Sequence, residues 1–208
     1  MAVNPMVGPG RGWMLVAVYA LLAAPPLRGW LEAGMVSHML VQLPLLVGIG
    51  ALAWRWLPPR LHQRLDRCNA AGLPLTLLAL FAAAFWMLPR SLDAALNAPL
   101  MELAKFLSLP LLVGMPLALS WRRLPLIGRG FLWSNLLSML VVLGWLYSAA
   151  PVRVCTNYLV DQQQLLGRSL LLLASGLALW LAGRVLFGTG SAGAVQRPRP
   201  DRRLRWSR

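Results

Sequence analysis

Long apolar runs alternate with short polar segments along most of the chain. A transmembrane helix needs about 20 consecutive apolar residues, and each of these runs is close to that length. The predicted spans are Gly10–Leu27, Met35–Leu57, Cys68–Leu88, Pro99–Trp121, Phe131–Ala150 and Leu165–Phe187. The pattern therefore predicts an all-α protein, a polytopic membrane bundle of about six transmembrane helices without an internal repeat.

The two ends of the chain differ in character. The first apolar run follows Arg11 and has no clear small-x-small cleavage site before Pro25, so we expect it to remain as a helix. Residues 188–208 are rich in Gly and Ser and then in Arg and Pro, which gives too little apolar surface for independent folding. We expect one membrane domain over residues 1–187 and a basic, disordered cytoplasmic tail over 188–208.

Composition agrees with the apolar pattern, and charge adds an orientation. The 208 residues are 58% hydrophobic and only 12% charged, with a net charge of +14. In the six-span arrangement, one side carries fifteen basic and two acidic residues, and the other carries five basic and four acidic. The positive-inside rule then predicts an N-in/C-in protein of the bacterial inner (plasma) membrane. Loops 28–34, 89–98 and 151–164 would face the periplasm or cell exterior.

The basic flanks also bear on partners and activity. Arginines beside apolar spans set topology and contact anionic membrane lipid, so we expect no nucleic-acid partner. No Ser-His-Asp set, phosphate-binding Gly loop or H-E-x-x-H motif occurs, so we expect no enzyme activity. A solute transporter is less favoured, because the ionisable groups near the spans (Glu102, Lys105, Arg168) all lie close to one edge.

The beginning of span two gathers soft and polar side chains on one helix face. Met35, His38, Met39 and Gln42 stand at positions i, i+3, i+4 and i+7. Thioether and imidazole groups together favour Cu(I), which makes this face a candidate metal site. The alternatives are a proton-handling histidine, or a helix-end histidine bonded to a neighbouring carbonyl with the methionines serving as packing.

The outward loop between spans three and four supplies further candidates. Trp86 is predicted to anchor the membrane interface, and Asp93 lies in a short surface helix. Glu102 and Lys105 at i, i+3 are predicted to pair with each other, the alternative being that Glu102 serves a site.

The most polar run between two spans begins at Cys155. It contains Asp161, Gln162 and Gln163, which we expect to hydrogen-bond helix ends rather than hold metal. Asp161 would pair with Arg153 or Arg168. Cys155 is the only outward thiol, so it is buried, paired between molecules or a ligand.

Three of these segments resemble those of CtaG-like cytochrome c oxidase assembly proteins. Residues 37–39, Ser-His-Met, are similar to the H-M-x-x-H motif of that family. Residues 85–89 and 92–96 resemble its W-H-x-P and D-A-A-L segments. Residues 161–163, Asp-Gln-Gln, before Gly167 resemble its D-Q-Q-x-x-G signature. The resemblance covers roughly residues 35 to 185.

Several family histidines are replaced in this chain. Gln42 stands for the second histidine of the first motif and Met87 for that of the second. Met101 and Lys105 stand where histidines open the next span. Only His38 remains as an imidazole.

The resemblance implies a non-enzymatic factor that holds or passes copper to a respiratory oxidase. Its partners would be an oxidase subunit or a copper chaperone, and a homo-oligomer is open. The sulfur-rich candidate ligands for Cu(I) are Met35, His38, Met39, Met87, Met101 and Cys155. Because so many histidines are replaced, the alternative is an accessory or scaffold subunit of a copper-dependent membrane complex that binds no metal.

Overall fold

A computed structural model describes residues 10–187, and these residues are almost entirely helical with no strand among them. The predicted basic tail lies outside the described residues. The α-helices are α1 Gly10–Ala23, α2 Pro25–Glu32, α3 Leu43–Ala53, α4 Pro59–Cys68, α5 Leu73–Met87, α6 Pro89–Asn97, α7 Pro99–Ser108, α8 Met115–Trp121, α9 Leu126–Ala149 and α10 Val160–Phe187. Two π-helical segments, Ser37–Gln42 and Leu109–Gly114, run continuously into α3 and α8.

Five helical segments are long and apolar enough to cross a membrane. They are Ser37–Trp56, Ala70–Met87, Pro99–Trp121, Leu126–Ala149 and Val160–Phe187. The α1–α2 pair makes a sixth if the two helices count as one bent span. The prediction of an all-α protein with several helices long and apolar enough to span a membrane is confirmed. The predicted span Pro99–Trp121 is unchanged, and the largest shifts among these five segments put the beginnings of the last two spans at Leu126 and Val160 instead of Phe131 and Leu165.

The first predicted span differs most from the sequence prediction. The α1–α2 pair bends by 62° at Ala24, which has an extended backbone with ψ 134. Pro25 causes this, since a proline pushes the preceding residue out of the helical region and itself suits the first turn of a new helix. Most of the predicted outward loop 28–34 is therefore helical as far as Glu32, and the prediction of a loop there was wrong.

Each π-helical segment ends just before a proline that opens the next α-helix. The Leu43 N–H donates to the His38 carbonyl, and the Met115 N–H donates to the Pro110 carbonyl, both five residues back. Pro44 and Pro116 follow directly and have no N–H to donate. Such wide turns recur at functional sites, and the first of them carries His38, Met39 and Gln42.

Glycines allow two close helix crossings. A Cβ atom built on Gly50 would collide with the backbone of Pro110, and one built on Gly114 would collide with the Val47 carbonyl. The second crossing joins α9 to α10, where Gly144 and Gly167 stand against each other. Small residues at such points let two helix backbones approach closely in a membrane.

The helices bring separate loops together at two ends of the bundle. The polar end comprises residues 28–42, 86–105 and 150–163, joined by hydrogen bonds such as that between His38 and Tyr158. The arginine end comprises residues 54–72 and 119–130, where Arg123 bridges to Asp66 at 2.8 Å. The candidate residues from the sequence lie at the polar end.

Candidate functional site at the polar end

His38 is completely buried and has a partner on each ring nitrogen. Its Nδ1 lies 2.8 Å from the Tyr158 hydroxyl, and its Nε2 lies 3.4 Å from Lys105 Nζ. The Tyr158 hydroxyl donates to the Glu32 carbonyl at 2.9 Å, so it accepts from His38. These directions assign the proton to Nδ1 and leave the Nε2 lone pair facing the ammonium of Lys105.

Lys105, the only lysine in the chain, is also fully buried. Its Nζ lies 2.6 Å from Glu32 Oε1 in an ion pair that joins α7 to the end of α2. Gln42 Nε2 donates to the same carboxylate oxygen at 3.2 Å. A buried ammonium is costly without a partner, so this pair is needed wherever Lys105 is charged.

The predicted pair between Glu102 and Lys105 is wrong. Glu102 forms an ion pair with Arg28, whereas Lys105 pairs with Glu32. Both acids and both bases therefore pair across the interface of α2 with α7 rather than along one helix. The reason is the bend at Pro25, which turns α2 across the outer end of α7 and presents two charges to it.

Tyr158 completes the ring of bonds around His38. Burial, and after it the nearby Glu32 carboxylate, raise the pKa of Tyr158 above its ordinary value. The phenol thus stays protonated at neutral pH and can donate to the Glu32 carbonyl. Together with His38, Lys105, Glu32 and Gln42 it forms the His38 cluster, in which Tyr158 and Lys105 bond to His38 directly and both also bond to Glu32.

A second group of bonds holds the loop between α9 and α10. Asp93 accepts from the backbone N–H of Thr156 at 2.8 Å, from the Thr156 hydroxyl, and from Asn157 Nδ2 at 2.8 Å. Partial burial of Asp93 acts to raise its pKa, but these hydrogen bonds outweigh burial and hold the pKa below its ordinary value. The α6 helix and the loop are therefore joined by a charged acceptor.

The Asp-Gln-Gln segment forms the beginning of α10, and its members do different things. Gln163 is buried, and its Oε1 accepts from the Val154 N–H at 2.8 Å, which fixes the loop to the helix as expected. Gln162 is half-buried and Asp161 is exposed in the first helical turn. Neither Arg153 nor Arg168 lies within ion-pair distance of Asp161 in the described part of the chain, so the expected pair does not form. The carboxylate instead suits the positive end of the helix dipole.

Cys155 is buried in the apolar core of the polar end, next to Tyr147. Burial, and after it the Asp93 carboxylate, raise the pKa of the Cys155 thiol to about 11. Because the thiolate is the reactive form, we expect this thiol to react slowly at neutral pH while it stays buried. Cys68 is exposed at the arginine end, so the two cysteines are too far apart for a disulfide, as expected.

Three sequence predictions around α5 and α7 have different outcomes. Trp86 is buried rather than interfacial, and its Nε1 donates to Ser108 Oγ at 2.7 Å, so that prediction was wrong. Met87 lies in an apolar groove between α5 and α9, beside Met139. Met101 packs at the margin of the same apolar core that contains Met35, Met39 and Cys155.

The donor set at His38 does not fit a Cu(I) ion in this conformation. A metal would need the Nε2 lone pair, which faces an ammonium at 3.4 Å, and like charges repel strongly in a buried site. Met87 lines the groove between α5 and α9, and none of the other five candidates borders that groove. Within residues 10–187 no three His, Cys, Asp or Glu side chains are grouped closely enough to hold a metal.

Fold and site together define a helical membrane protein with a buried cluster of charged and polar side chains at one end. Comparisons with protein-family models, with curated protein sequences and with solved structures find no match for this chain.

Replacing Asp93 with asparagine is expected to loosen the loop that covers Cys155. In a Cys68→Ser background, maleimide should modify Cys155 about tenfold faster, since each hydrogen bond to a charged group contributes about 1.5 kcal/mol or more. Asp161→Asn, an exposed carboxylate nearby, should leave the rate unchanged. Equal labelling rates in the two variants would show that Asp93 does not hold the loop over Cys155.

The same carboxylate predicts a pH dependence. The folded pKa of Asp93 lies below its ordinary value of 3.8, so its stabilising effect is complete above that value. The effect is lost as the pH falls through the lower folded pKa. A thiol probe that reacts in acid, such as dithiodipyridine, should therefore reach Cys155 faster below about pH 3.8 in the wild type, and the Asp93→Asn variant should lack this step.

Proposed function

We propose that the protein is a non-enzymatic, membrane-embedded assembly factor for a respiratory cytochrome c oxidase, acting as a scaffold that holds no copper on His38. One observation supports the proposal most. The three segments that resemble the CtaG-like family, far apart in sequence, meet at the polar end. His38 from the first segment and Asp93 from the second both bond to the loop that leads into the third.

The scaffold form is favoured over copper transfer by what surrounds His38. Where the family pattern has further histidines, this chain has Gln42, Met87, Met101 and Lys105. Two of these replacements, Gln42 and Lys105, bond to Glu32, and Lys105 also covers the remaining nitrogen of His38. The substituted positions thus supply an internal polar cluster in place of a ligand set.

Copper handling remains the second candidate, and one observation favours it. Met35, Met39 and Cys155 are buried in one apolar core beside His38, which is an unusual concentration of sulfur. Soft ligands of this kind select Cu(I). In this form the Lys105 ammonium would have to leave the Nε2 atom of His38.

Metal content and co-purification test the proposal. Mild purification should yield a larger complex that contains oxidase subunits. The chain separated from those subunits should hold copper far below one ion per chain, both before and after anaerobic Cu(I) addition. His38→Ala should not change the copper content, and His62→Ala is the matched control at the other end. Stoichiometric Cu(I) that disappears in His38→Ala would establish copper handling instead. A chain that purifies without oxidase subunits would contradict the proposal that an oxidase is its partner.

The proposal includes an orientation, with the polar end at the periplasmic face and the arginine end in the cytoplasm. The charge difference between the two predicted sides supports it through the positive-inside rule. Cys68, exposed at the arginine end, should react with a membrane-impermeant maleimide in inverted vesicles and not in intact spheroplasts. Labelling of Cys68 in intact spheroplasts would show that the arginine end faces the periplasm, the opposite of the proposed orientation.

A further inference from the structure

An apolar groove of about 300 Å³ opens at the arginine end of the bundle. Leu61 and Leu65 of α4 form one wall, Leu75 and Leu78 of α5 form the second, and Leu111 of the second π-helical segment forms part of the third. All the residues that line the groove are Leu, Met or Pro. Its volume is at the lower end of the range for ligand pockets. A groove without polar groups suits a hydrocarbon chain and gives no hydrogen bond to a polar ligand.

The α4 helix that borders this groove carries a separate stripe of positive charge. Arg60, Arg64 and Arg67 stand at i, i+4 and i+7, and all three are exposed. Helical geometry places this stripe about a third of a turn from Leu61 and Leu65, so the guanidinium groups flank the groove. The cationic and apolar faces of α4 therefore meet along the edge of the groove.

The nearest acid does not neutralise this stripe. Asp66 is held by Arg123 at 2.8 Å, with His62 at 3.5 Å on its other oxygen. Within residues 10–187, Arg60, Arg64 and Arg67 have no carboxylate within ion-pair distance. Trp54 and Trp56 precede α4, and tryptophans of this kind sit at the headgroup level of a bilayer. The charged stripe thus lies where lipid phosphates are found.

We propose that the groove and the arginine stripe of α4 form a binding site for one anionic phospholipid. One acyl chain lies against Leu61, Leu65 and Leu78, and the headgroup phosphate and its extra negative charge bond to the arginines. Guanidinium groups are well suited to phosphate because they donate two parallel hydrogen bonds. Charge complementarity selects the anionic lipid over a zwitterionic one and over the chain's own arginine-rich tail, which would be repelled.

Native mass spectrometry of the full chain in mild detergent tests the site. Titration with phosphatidylglycerol should show one lipid retained per chain, at least about tenfold more tightly than phosphatidylcholine with the same acyl chains, because the arginines attract the extra negative charge of the anionic headgroup. Equal retention of both lipids would overturn the proposal.

Two pairs of variants separate a built site from diffuse attraction. Replacing Arg60, Arg64 and Arg67 together with Gln should abolish the preference, whereas Arg122, Arg129 and Arg184 to Gln, with the same charge change at the same side, should retain it. Leu78→Trp fills the groove and should remove the bound lipid without a change in charge. Leu77→Trp, its neighbour outside the groove, should not. An equal effect within either pair would overturn the proposal.

Discussion

Replacing Lys105 with methionine is expected to lower the melting temperature of the purified protein by roughly 10 °C. The ammonium is fully buried and lies 2.6 Å from Glu32 Oε1. Removal of one partner of a buried ion pair costs about 3–5 kcal/mol, and in a chain of this size each kcal/mol corresponds to about 2–4 °C. Methionine keeps most of the side-chain volume, so the loss of stability measures the contribution of the ammonium charge.

A double-variant cycle assigns the effect to the pair. Glu32→Gln with Lys105→Met should recover a large part of the stability lost in Lys105→Met alone, because no carboxylate is then left without its partner. Arg153→Met, an exposed charge at the same end, is the control and should cost less than about 0.5 kcal/mol. The charge pair would not be important if Lys105→Met were as mild as Arg153→Met, or if the double variant were no more stable.

This expected cost has a consequence for the function. The cost of separating Lys105 from Glu32 opposes any movement that would free His38, because the same ammonium covers Nε2. Copper binding through that nitrogen would therefore have to offset a loss of several kcal/mol. A scaffold, in contrast, gains from a polar end that stays in one conformation. A more stable pair of Lys105 and Glu32 should therefore go with a lower copper content of the chain.

The helical architecture could be predicted from sequence because it depends on local patterns. Apolar runs of the length of a bilayer specify spans, and the i, i+3, i+4, i+7 spacing identified a face whose four members are all buried: Met35, His38, Met39 and Gln42. The separation of Cys68 from Cys155 followed from the span count. Each of these results needs only the period of the helix and the thickness of the membrane.

The partners of the charged residues at the polar end could not be predicted in the same way. Glu102 and Lys105 looked like a local pair, because the sequence does not show that α2 turns by 62° and brings Arg28 and Glu32 against α7. One signal was present. A lone lysine one turn inside an apolar span must have an acid nearby, and Glu32 was the acid closest to the beginning of the neighbouring span.

Trp86 illustrates the same limit at a single position. Tryptophan at the end of a span is usually an interfacial anchor, and its neighbour Phe85 is in fact exposed. The indole of Trp86 is buried because Ser108 on α7 offers an acceptor for its N–H. Which of two adjacent aromatic residues faces the bundle depends on the rotation of α5, and the uniform apolar character of that helix does not specify it.

Replacing Gly50 with alanine is expected to destabilise the bundle by about 3 kcal/mol, at the upper end of the cost of overpacking. The added methyl group would collide with the backbone of Pro110 rather than with a flexible side chain. Pro110 belongs to the π-helical segment that continues α7, so the span that contains α3 and the span that contains α7 would have to separate. The same two spans carry His38 and Lys105, so their separation would also disturb the polar end. We therefore expect a lower melting temperature together with faster maleimide labelling of Cys155 in a Cys68→Ser background.

Gly48 provides a matched control on the same helix, two residues away. A Cβ atom at this position meets nothing within 4 Å, so Gly48→Ala should be neutral or raise stability by up to about 1 kcal/mol through helix propensity. Gly114→Ala, on the opposite side of the crossing, should resemble Gly50→Ala, since its Cβ atom would meet the Val47 carbonyl. The same small effect at Gly48 and Gly50 would show that α3 does not cross the π-helical segment in close contact. A different packing of α7 would then have to place Lys105 beside Glu32.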